Sequence, residues 1–220
     1  MMRKKKTGLF ITLEGPEGSG KTTVAKKLIE RLRRKKIPCI YTIEPGGTFL
    51  TKPIREVLLR RSHEKLFPMA ELFLFEADRV QHVNTVIRPA LDLGKLVLCV
   101  RYSDSTSAYQ GYGRGLDIHM VKKMNDIATE NLKPDLTILI DVPSQIGLVR
   151  AKKASGSLDR VESEKKAFHN RLRKGYLAIA GQEPDRFVVL SAKENLAVVV
   201  EKAWKALEKV LIQKKMFPIQ

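Results

Sequence analysis

Cysteine and histidine are scarce in this chain, which has two cysteines and four histidines among its 220 residues. So few thiols exclude a disulfide framework, and the Cys/His spacing of a structural zinc site is missing. Cys39 and Cys99 both lie in short apolar runs that are typical of strands. We therefore expect two buried free thiols with no metal or redox role.

Long apolar runs are missing as well, because no stretch approaches the ~20 residues that a membrane-spanning helix needs. The basic residues at 3–6 resemble the charged end of a signal peptide, but the apolar run behind them stops at Glu14. We expect a cytoplasmic protein that has no membrane partner. The length favours one well-buried domain over residues 1–220.

Acidic residues are few, with 24 Asp and Glu against 41 Lys and Arg, and the formal net charge is +17. A strongly basic chain raises the hypothesis of a nucleic-acid partner. However, the basic clusters fall mostly on predicted helices or at the termini, where solvated faces are ordinary, and a basic cleft also suits nucleotides. These clusters lie at 3–6, 31–36, 150–153, 171–174 and 202–215. No nucleic-acid-binding motif is present, so we expect no specific nucleic-acid partner, only weak adhesion at low salt.

The most informative segment is 15–22, Gly-Pro-Glu-Gly-Ser-Gly-Lys-Thr, which matches the P-loop pattern G-x-x-x-x-G-K-[ST]. An apolar run precedes it and a helical pattern follows it, as a phosphate-binding loop requires. Its glycines let backbone amides turn toward an anion, which the following helix dipole also favours. We predict that Lys21 reaches the β- and γ-phosphates of ATP and that the Thr22 hydroxyl holds Mg²⁺. The predicted ATP contacts here are Gly15, Pro16, Glu17, Gly18, Ser19, Gly20, Lys21, Thr22 and Thr23.

Five short apolar runs alternate with helical patterns along the chain. They lie at 9–13, 39–43, 96–100, 136–140 and 187–190. This alternation predicts an α/β fold of the P-loop NTPase type, in which helices cover both faces of a five-stranded parallel sheet in three α/β/α layers. Ligands of such sheets gather at the carboxyl ends of the strands, so we expect the site to be built from the residues that follow each run.

Three further segments are placed by their patterns. A long helix is predicted from Ala70 to Ile87, closed by Pro89, with Phe75 and Arg79 four residues apart on one face. The basic, small-residue segment 152–160 indicates a mobile loop between two helices. A last helix is predicted at about 195–213.

Together these motifs resemble the bacterial thymidylate kinases, a family of P-loop nucleoside monophosphate kinases, from Leu9 to about Leu211. Each motif is a weak signal alone, but their order and spacing are specific. The motifs that carry the resemblance are 15–23, Glu44-Pro45-Gly46-Gly47-Thr48, 70–75 with Arg79, Arg101-Tyr102, 104–111 and Leu158-Asp159-Arg160.

The family transfers the γ-phosphoryl group of ATP to the 5′-phosphate of dTMP, giving dTDP and ADP, with Mg²⁺ as cofactor. Such a transfer depends on positioning and on charge stabilisation. The resemblance implies that Phe75 stacks on thymine, that Arg79 binds a thymine carbonyl and that Tyr109 crowds the 2′ position. The implied dTMP contacts are Glu17, Glu44, Pro45, Phe75, Arg79, Arg101, Ser105, Thr106, Tyr109 and Gln110. Each of three residues also has a purely structural interpretation: Phe75 as a core residue, Arg79 as a surface cation and Tyr109 as a packing residue.

The segment at about 150–162 resembles the lid that closes over ATP. The P-loop has no arginine, and in the subgroup with this feature the lid supplies the catalytic cations. The implied catalytic residues are Lys21, Arg101, Arg150, Lys153 and Arg160; Lys152 also lies in the lid, and Ala192 is implied to contact ATP. A solvated charge run is the alternative reading of the lid cations. The resemblance also implies a homodimer.

Two positions depart from the family pattern. The family usually has aspartate before Arg101, near Mg²⁺, and this chain has Val100; it usually has arginine before Glu44, and this chain has Ile43. Valine offers no oxygen ligand to a hard cation. Three explanations remain open: Mg²⁺ held by Thr22, nucleotides and water, with Asp141 or Glu17 helping; a slow enzyme; or a nucleotide-binding homologue with impaired or lost catalysis.

Overall fold

The computed structural model describes residues 8–216, and its centre is a five-stranded, fully parallel sheet in the order β2-β3-β1-β4-β5. The strands are β1 (Leu9–Glu14), β2 (Cys39–Ile43), β3 (Leu96–Val100), β4 (Leu136–Asp141) and β5 (Phe187–Ser191). The helices are α1 (Lys21–Arg34), α2 (Lys52–Leu59), α3 (Pro68–His82), α4 (Arg88–Asp92), α5 (Ser103–Thr106), α6 (Ile118–Thr129), α7 (Ser144–Ser155), α8 (Lys166–Gln182) and α9 (Leu196–Gln213), with π-helical segments at Val83–Ile87 and Ser107–Gly113. The predicted α/β fold, its five strands and the last helix are confirmed.

The sheet is buried on both faces because alternate residues of each strand enter different apolar clusters. On β1, Leu9, Ile11 and Leu13 pack with α1 and α9, whereas Phe10 packs with the segment that runs from Val83 to Leu91. Trp204 of α9 is fully buried in the first cluster. The near-continuous apolar strands that the sequence shows therefore follow from a three-layer arrangement.

The prediction that Pro89 closes the long helix is wrong, because the helical path continues to Asp92. Proline removes an N–H and crowds the carbonyl four residues earlier, which an α-helix interior tolerates poorly. The chain avoids this conflict with the π-helical turn at Val83–Ile87, in which the Arg88 N–H donates to the Val83 carbonyl. A π-bulge widens the helix at the point where proline would break it.

The prediction of an irregular loop from residue 152 is also wrong for its first four residues, since α7 extends to Ser155. Gly156 ends α7 in the left-handed conformation, with φ of 76°, that only glycine adopts without strain. Lys152 and Lys153 therefore lie in the last turn of a helix, where cations complement the negative end of its dipole.

The five carboxyl ends of the strands meet at one edge of the sheet. β1 leads into the phosphate loop, β3 into Arg101, and β4 ends at Asp141. The register pairs Leu13 with Val100, so the segments after β1 and β3 emerge side by side. Within residues 8–216, no helix is long and apolar enough to cross a membrane.

Candidate active site

The loop between β1 and α1 has the geometry of an anion cradle. Gly15, Gly18 and Gly20 have φ of 145°, 62° and 89°. A Cβ at Gly18 would lie 1.9 Å from the Gly147 carbonyl oxygen, so only glycine lets the loop pack against α7. A glycine-rich loop at the N-terminus of a helix can direct backbone amides toward an anion, so this geometry suits a phosphate group.

This loop opens into a large cleft, the phosphate-loop pocket, of about 1210 Å³. Its lining includes Glu17 to Thr23 of the predicted ATP contacts, together with Arg150 and Ala192. Gly15 and Pro16 lie behind this lining and act through their carbonyls: Arg101 Nη1 donates to Gly15 O at 3.3 Å, and Lys21 Nζ to Pro16 O at 3.0 Å.

Lys21 is almost enclosed by protein, with 9% of its side chain exposed, and its Nζ lies 3.9 Å from Glu17 Oε2. Burial and the charge of Arg101 lower the pKa of Lys21 to about 8, against the weaker opposing effect of Glu17. A bound phosphate would favour the charged ammonium and restore a higher pKa. Near pH 8, where the free lysine is about half neutral, an anion that enters would therefore increase its charge.

A second pocket, the inner pocket, lies on the other side of Glu17 and has about 450 Å³ of empty space. All ten residues that the resemblance implies for dTMP line it. Its lining is Glu17, Glu44, Pro45, Leu59, Phe75, Arg79, Arg101, Ser105, Thr106, Tyr109, Gln110, Asp159 and Val161. The structure therefore brings residues from the segments after β2 and β3, from α3 and from the π-helical turn at 107–113 into one cavity.

Arg79 is the charged centre of the inner pocket, and it is 1% exposed. Its Nη2 pairs with Glu44 Oε2 at 2.9 Å, and its Nη1 donates to Glu76 at 3.1 Å, to Thr106 at 2.9 Å and to Asn125 at 2.9 Å. Burial opposes the charge of Arg79, but Glu44 and Glu76 raise its pKa well above the ordinary value. Because its fork is held on several sides, its position is fixed before any ligand binds.

Arg101 and Glu17 form the boundary between the two pockets. Arg101 Nη2 donates to both Glu17 carboxylate oxygens at 2.8 Å, and the Tyr109 hydroxyl donates to Oε1 of the same carboxylate. Burial works against ionisation, yet the charges of Arg101 and Lys21 lower the pKa of Glu17 to about 2. Glu17 lines both pockets, so this ion pair lies where two ligands would meet.

The backbone of Arg101 is unusual, with φ of 67° in a region that non-glycine residues rarely adopt. Its N–H donates to the Leu13 carbonyl at 3.0 Å, which ties the strained residue to the end of β1. Such strain persists where the surrounding structure determines it, and it is common at functional sites. Here the Arg101 guanidinium lies in the wall of the inner pocket, against Glu17, which lines both pockets.

Sequence reasoning missed the buried carboxylate that supports this segment, Glu14 at the end of β1. It accepts hydrogen bonds from Tyr102 N at 2.7 Å and Ser105 Oγ at 2.6 Å, and from Tyr176 Oη at 3.2 Å. Burial, helped by the charge of Asp104, raises the pKa of Glu14 to about 7. An acidic residue ending an otherwise apolar strand is the signal that would have found it.

The predicted lid cations occupy different places. Arg150 lines the phosphate-loop pocket and donates to the Ala192 carbonyl at 3.0 Å. Lys152 and Lys153 are exposed on α7, outside the described lining of both pockets. Arg160 donates to Leu58 O at 2.7 Å and pairs with Glu71 at 2.8 Å, so it faces the inner pocket's wall rather than the phosphate loop.

The residues considered as Mg²⁺ ligands differ in whether they face the phosphate-loop pocket or pair with an arginine. Thr22 is exposed in the phosphate-loop pocket, as a hydroxyl ligand must be, and Glu162 lines the same pocket. Asp141 is engaged by Arg173 through two bonds of 2.7 Å, and Glu17 is engaged by Arg101. Val100 is 1% exposed within an apolar cluster and offers no oxygen.

Within the part of the chain that the structure describes, Glu44, His82 and Cys99 form another group of ligand-type side chains. The His82 ring already uses both nitrogens, with Nδ1 2.8 Å from Glu44 and Nε2 2.6 Å from Thr42. Burial raises the pKa of the Cys99 thiol well above its ordinary value. This group serves as support for Glu44 and not as a metal centre, because its imidazole has no free lone pair for a cation. The predicted free thiols are confirmed, although Cys39 is only half-buried.

Three lining residues of the inner pocket were not named as ligand contacts from the sequence: Leu59, Asp159 and Val161. Asp159 belongs to the Leu158-Asp159-Arg160 motif, which the sequence analysis identifies, but its position in the inner pocket is not predicted there. Leu59 ends α2 and Val161 lies near the end of the lid segment, and both are ordinary apolar residues. A hydrophobic residue that closes a pocket carries no local signal, because its role depends on tertiary packing alone.

Comparisons with a family model and with individual known proteins agree on one family. A family model described as thymidylate kinase matches residues 13–203. A thymidylate kinase of Synechococcus sp. strain JA-2-3B'a(2-13) is 48% identical over 200 residues, covering 91% of this chain and 94% of the relative. One of Syntrophotalea carbinolica is 50% identical over 200 residues, covering 89% and 93%.

A solved structure agrees with these relatives. The crystal structure of thymidylate kinase from Ehrlichia chaffeensis superposes with a TM-score of 0.75 at 33% identity. The match covers 91% of this chain and 98% of that chain. Similarity thus extends through both pockets and the sheet that positions them.

Proposed function

The chain belongs to the thymidylate kinase family, and from that membership we propose that it transfers the γ-phosphoryl group of ATP to dTMP, giving dTDP and ADP. The observation that carries this proposal is the pair of pockets that share Glu17, whose carboxylate is held by Arg101 of the inner pocket. Phosphoryl transfer needs two anions held in line and a cation where charge develops, more than it needs covalent chemistry. We propose that the two anions would meet at this boundary.

We assign the inner pocket to dTMP. Phe75 offers an aromatic face for the base, and the fixed Arg79 fork lies beside it in the same lining. Tyr109 is 5% exposed and held against Glu17, which leaves little room at the sugar. Arg101 would exchange part of its bidentate contact with Glu17 for the acceptor phosphate, which makes the same type of charge-assisted bond.

We assign the phosphate-loop pocket to ATP. Lys21 would move from Pro16 O to the β- and γ-phosphates and become fully charged there. Arg150, on α7, and the exposed Lys153 lie on the element that would close over the nucleotide. Arg160 would stabilise the lid segment through Glu71 instead of contacting phosphate in this conformation.

Mg²⁺ is proposed as the cofactor, and the donors present suit it. The Thr22 hydroxyl and the Glu162 carboxylate are hard oxygen ligands in the phosphate-loop pocket, and Mg²⁺ is usually held by one or two carboxylates plus substrate phosphates. When bound, the ion would neutralise developing charge on the phosphates. Val100 removes one further oxygen from this region, which predicts a slower enzyme. The alternative of a homologue that has lost catalysis gains no support from the named relatives.

A homodimer is proposed as the assembly. Exposed apolar side chains lie on three neighbouring helices: Phe73 and Val80 on α3 are 57% and 45% exposed, Val57 on α2 is 55% and Ile127 on α6 is 68%. Exposed apolar patches of this kind mark association surfaces. Light scattering after gel filtration should give twice the chain mass, and Phe73→Glu should reduce the measured mass to that of one chain.

We also propose a cytoplasmic location, which suits the free cysteines of the protein.

The test of the proposed reaction is a coupled ADP-release assay with ATP and Mg²⁺. We compare dTMP, dUMP, dGMP and no acceptor, using the full chain. The proposal expects turnover with dTMP to exceed that with every other acceptor. Absence of turnover, with both ATP and dTMP still raising the melting temperature, would instead indicate a binding protein without catalysis.

A further inference from the structure

Glu71, which the proposed reaction does not use, is a fully buried carboxylate at the start of α3. Its Oε1 accepts a hydrogen bond from Gln110 Nε2 at 2.7 Å. Its Oε2 accepts from Arg114 Nη2 at 3.0 Å and from Arg160 Nη1 at 2.8 Å. Arg114 Nε also donates to Oε1, at 3.3 Å, so the two guanidiniums fix the carboxylate, and the shorter hydrogen bond to Oε1 comes from Gln110.

A carboxylate paired with two arginines can only accept hydrogen bonds. The amide of Gln110 must then face it with nitrogen, which places the amide oxygen at the opposite corner. That oxygen, Oε1, is buried and has no hydrogen-bond partner among the residues from 8 to 216. Gln110 is 1% exposed and lines the inner pocket. A buried acceptor of this kind is costly unless something donates to it.

We propose that Glu71 is a positioning residue that holds the Gln110 amide with its oxygen available to the base of the acceptor nucleotide. This inference rests on the proposed function of the inner pocket. Thymine carries an N–H donor at N3 between two carbonyl oxygens, whereas N3 of cytosine is an acceptor beside an amino donor. A fixed acceptor at Gln110 therefore favours the thymine edge and opposes the cytosine edge.

The same carboxylate links base recognition to the lid segment. Arg160 also donates to Leu58 O at 2.7 Å, and its backbone N–H donates to Leu59 O at 3.0 Å. The residues on either side of Arg160, Asp159 and Val161, line the inner pocket. Glu71 thus sets the orientation of Gln110 and the position of one wall of the pocket together.

The experiment measures dissociation constants of dTMP, dUMP and dCMP by calorimetry on the full protein without ATP. Glu71→Gln can donate to Gln110 Oε1 and let the amide turn, so the preference for dTMP over dCMP should fall about tenfold. The preference for dTMP over dUMP should stay the same, because both bases have the N3 donor. Glu71→Asp keeps the charge for the arginines but shortens the reach, and it should also lower the dTMP/dCMP preference.

Two controls separate positioning from folding. Glu164→Gln removes the other carboxylate partner of Arg114 without touching Gln110, and it should leave both preferences unchanged. The double variant Glu71→Gln/Gln110→Ala should show the same dTMP/dCMP preference as Gln110→Ala, because Glu71 acts through the Gln110 amide.

The positioning role of Glu71 would be overturned, with the proposed function left standing, by either of two results. One is an unchanged dTMP/dCMP preference in both Glu71 variants; the other is a double variant whose loss of that preference is the sum of the two single losses. A wild-type protein with no preference for dTMP over dCMP would overturn the proposed function as well. Melting temperatures measured beside each titration identify any variant that is not folded.

Discussion

The two pockets meet at Glu17 but prepare for their ligands in opposite ways. In the inner pocket the charges already satisfy one another, since Arg79 is held by Glu44, Glu76 and two polar side chains. In the phosphate-loop pocket the ligand supplies the main partner, because Lys21 donates to the Pro16 carbonyl and its ion pair with Glu17, at 3.9 Å, is close to the distance limit. One pocket is rigid before binding, and the other is completed by its anion.

The largest effect should come from Lys21→Met, which removes the cation that the open pocket offers to ATP. We expect kcat to fall by roughly a thousandfold, because charge stabilisation dominates phosphoryl transfer. The affinity for dTMP should change less than threefold, since the inner pocket keeps its own charges. Steady-state kinetics and dTMP calorimetry measure the two quantities. Lys26→Met, an exposed residue of the same helix, is the control. A loss in kcat of less than tenfold would contradict this assignment.

Arg79→Ala should break the rigid pocket and lower stability together with dTMP binding. Removing one partner leaves Glu44 and Glu76 buried without their cation, which costs about 3–5 kcal/mol of unfolding free energy. Lys202→Ala, which breaks an exposed pair with Glu194, should cost about 0–1 kcal/mol. Urea unfolding compares the variants. Equal losses of unfolding free energy in the two variants would contradict the claim that the buried network contributes more to stability than an exposed ion pair.

Val100→Asp tests the departure from the family pattern. The family resemblance implies that an oxygen at this position lies near the transferring phosphoryl group, so the variant should raise kcat about tenfold, with dTMP affinity nearly unchanged. The melting temperature should fall because Val100 is 1% exposed in an apolar cluster. Val100→Asn has the same size without the charge and should give no comparable gain. If kcat does not rise in Val100→Asp, the explanation based on the metal site is wrong.

The smallest effect is a change in protonation. With the pKa of Lys21 lowered to about 8, roughly half of the free protein carries a neutral lysine at pH 8. Phosphate favours the ammonium form, so ATP binding at pH 8 should take up about half a proton, and ATP affinity should fall as pH rises further. At pH 6 the lysine is already charged and uptake should vanish.

Calorimetry in buffers of different ionisation enthalpy gives the number of protons taken up. Lys21→Met should take up none at pH 8. Equal uptake by the variant and the wild type would assign the proton to another group, for example a phosphate of the nucleotide.

The sequence was most informative where a local pattern determines a local structure. The phosphate loop and all five strands were predicted because glycine spacing and apolar runs are local signals. The ten implied lining residues of the inner pocket also lie together, and these came from the family resemblance and not from periodicity.

What the sequence missed depends on contacts between distant segments. Glu71 and Gln110 are 39 residues apart, and no local pattern says that one carboxylate will orient one amide. Glu14 meets Tyr176 across 162 residues. The π-helical turn before Pro89 shows the same limitation on a smaller scale, because the packing of Val83 and Ile87 in the core keeps the helical path where propensity predicts its end.

The most direct test of transfer between the two pockets is ³¹P NMR of ATP, dTMP and Mg²⁺ with the wild-type protein. The account predicts that one dTDP forms for each ADP, with no inorganic phosphate, and that neither product forms when dTMP is omitted. ADP accompanied by inorganic phosphate, at a rate that does not depend on dTMP, would contradict it.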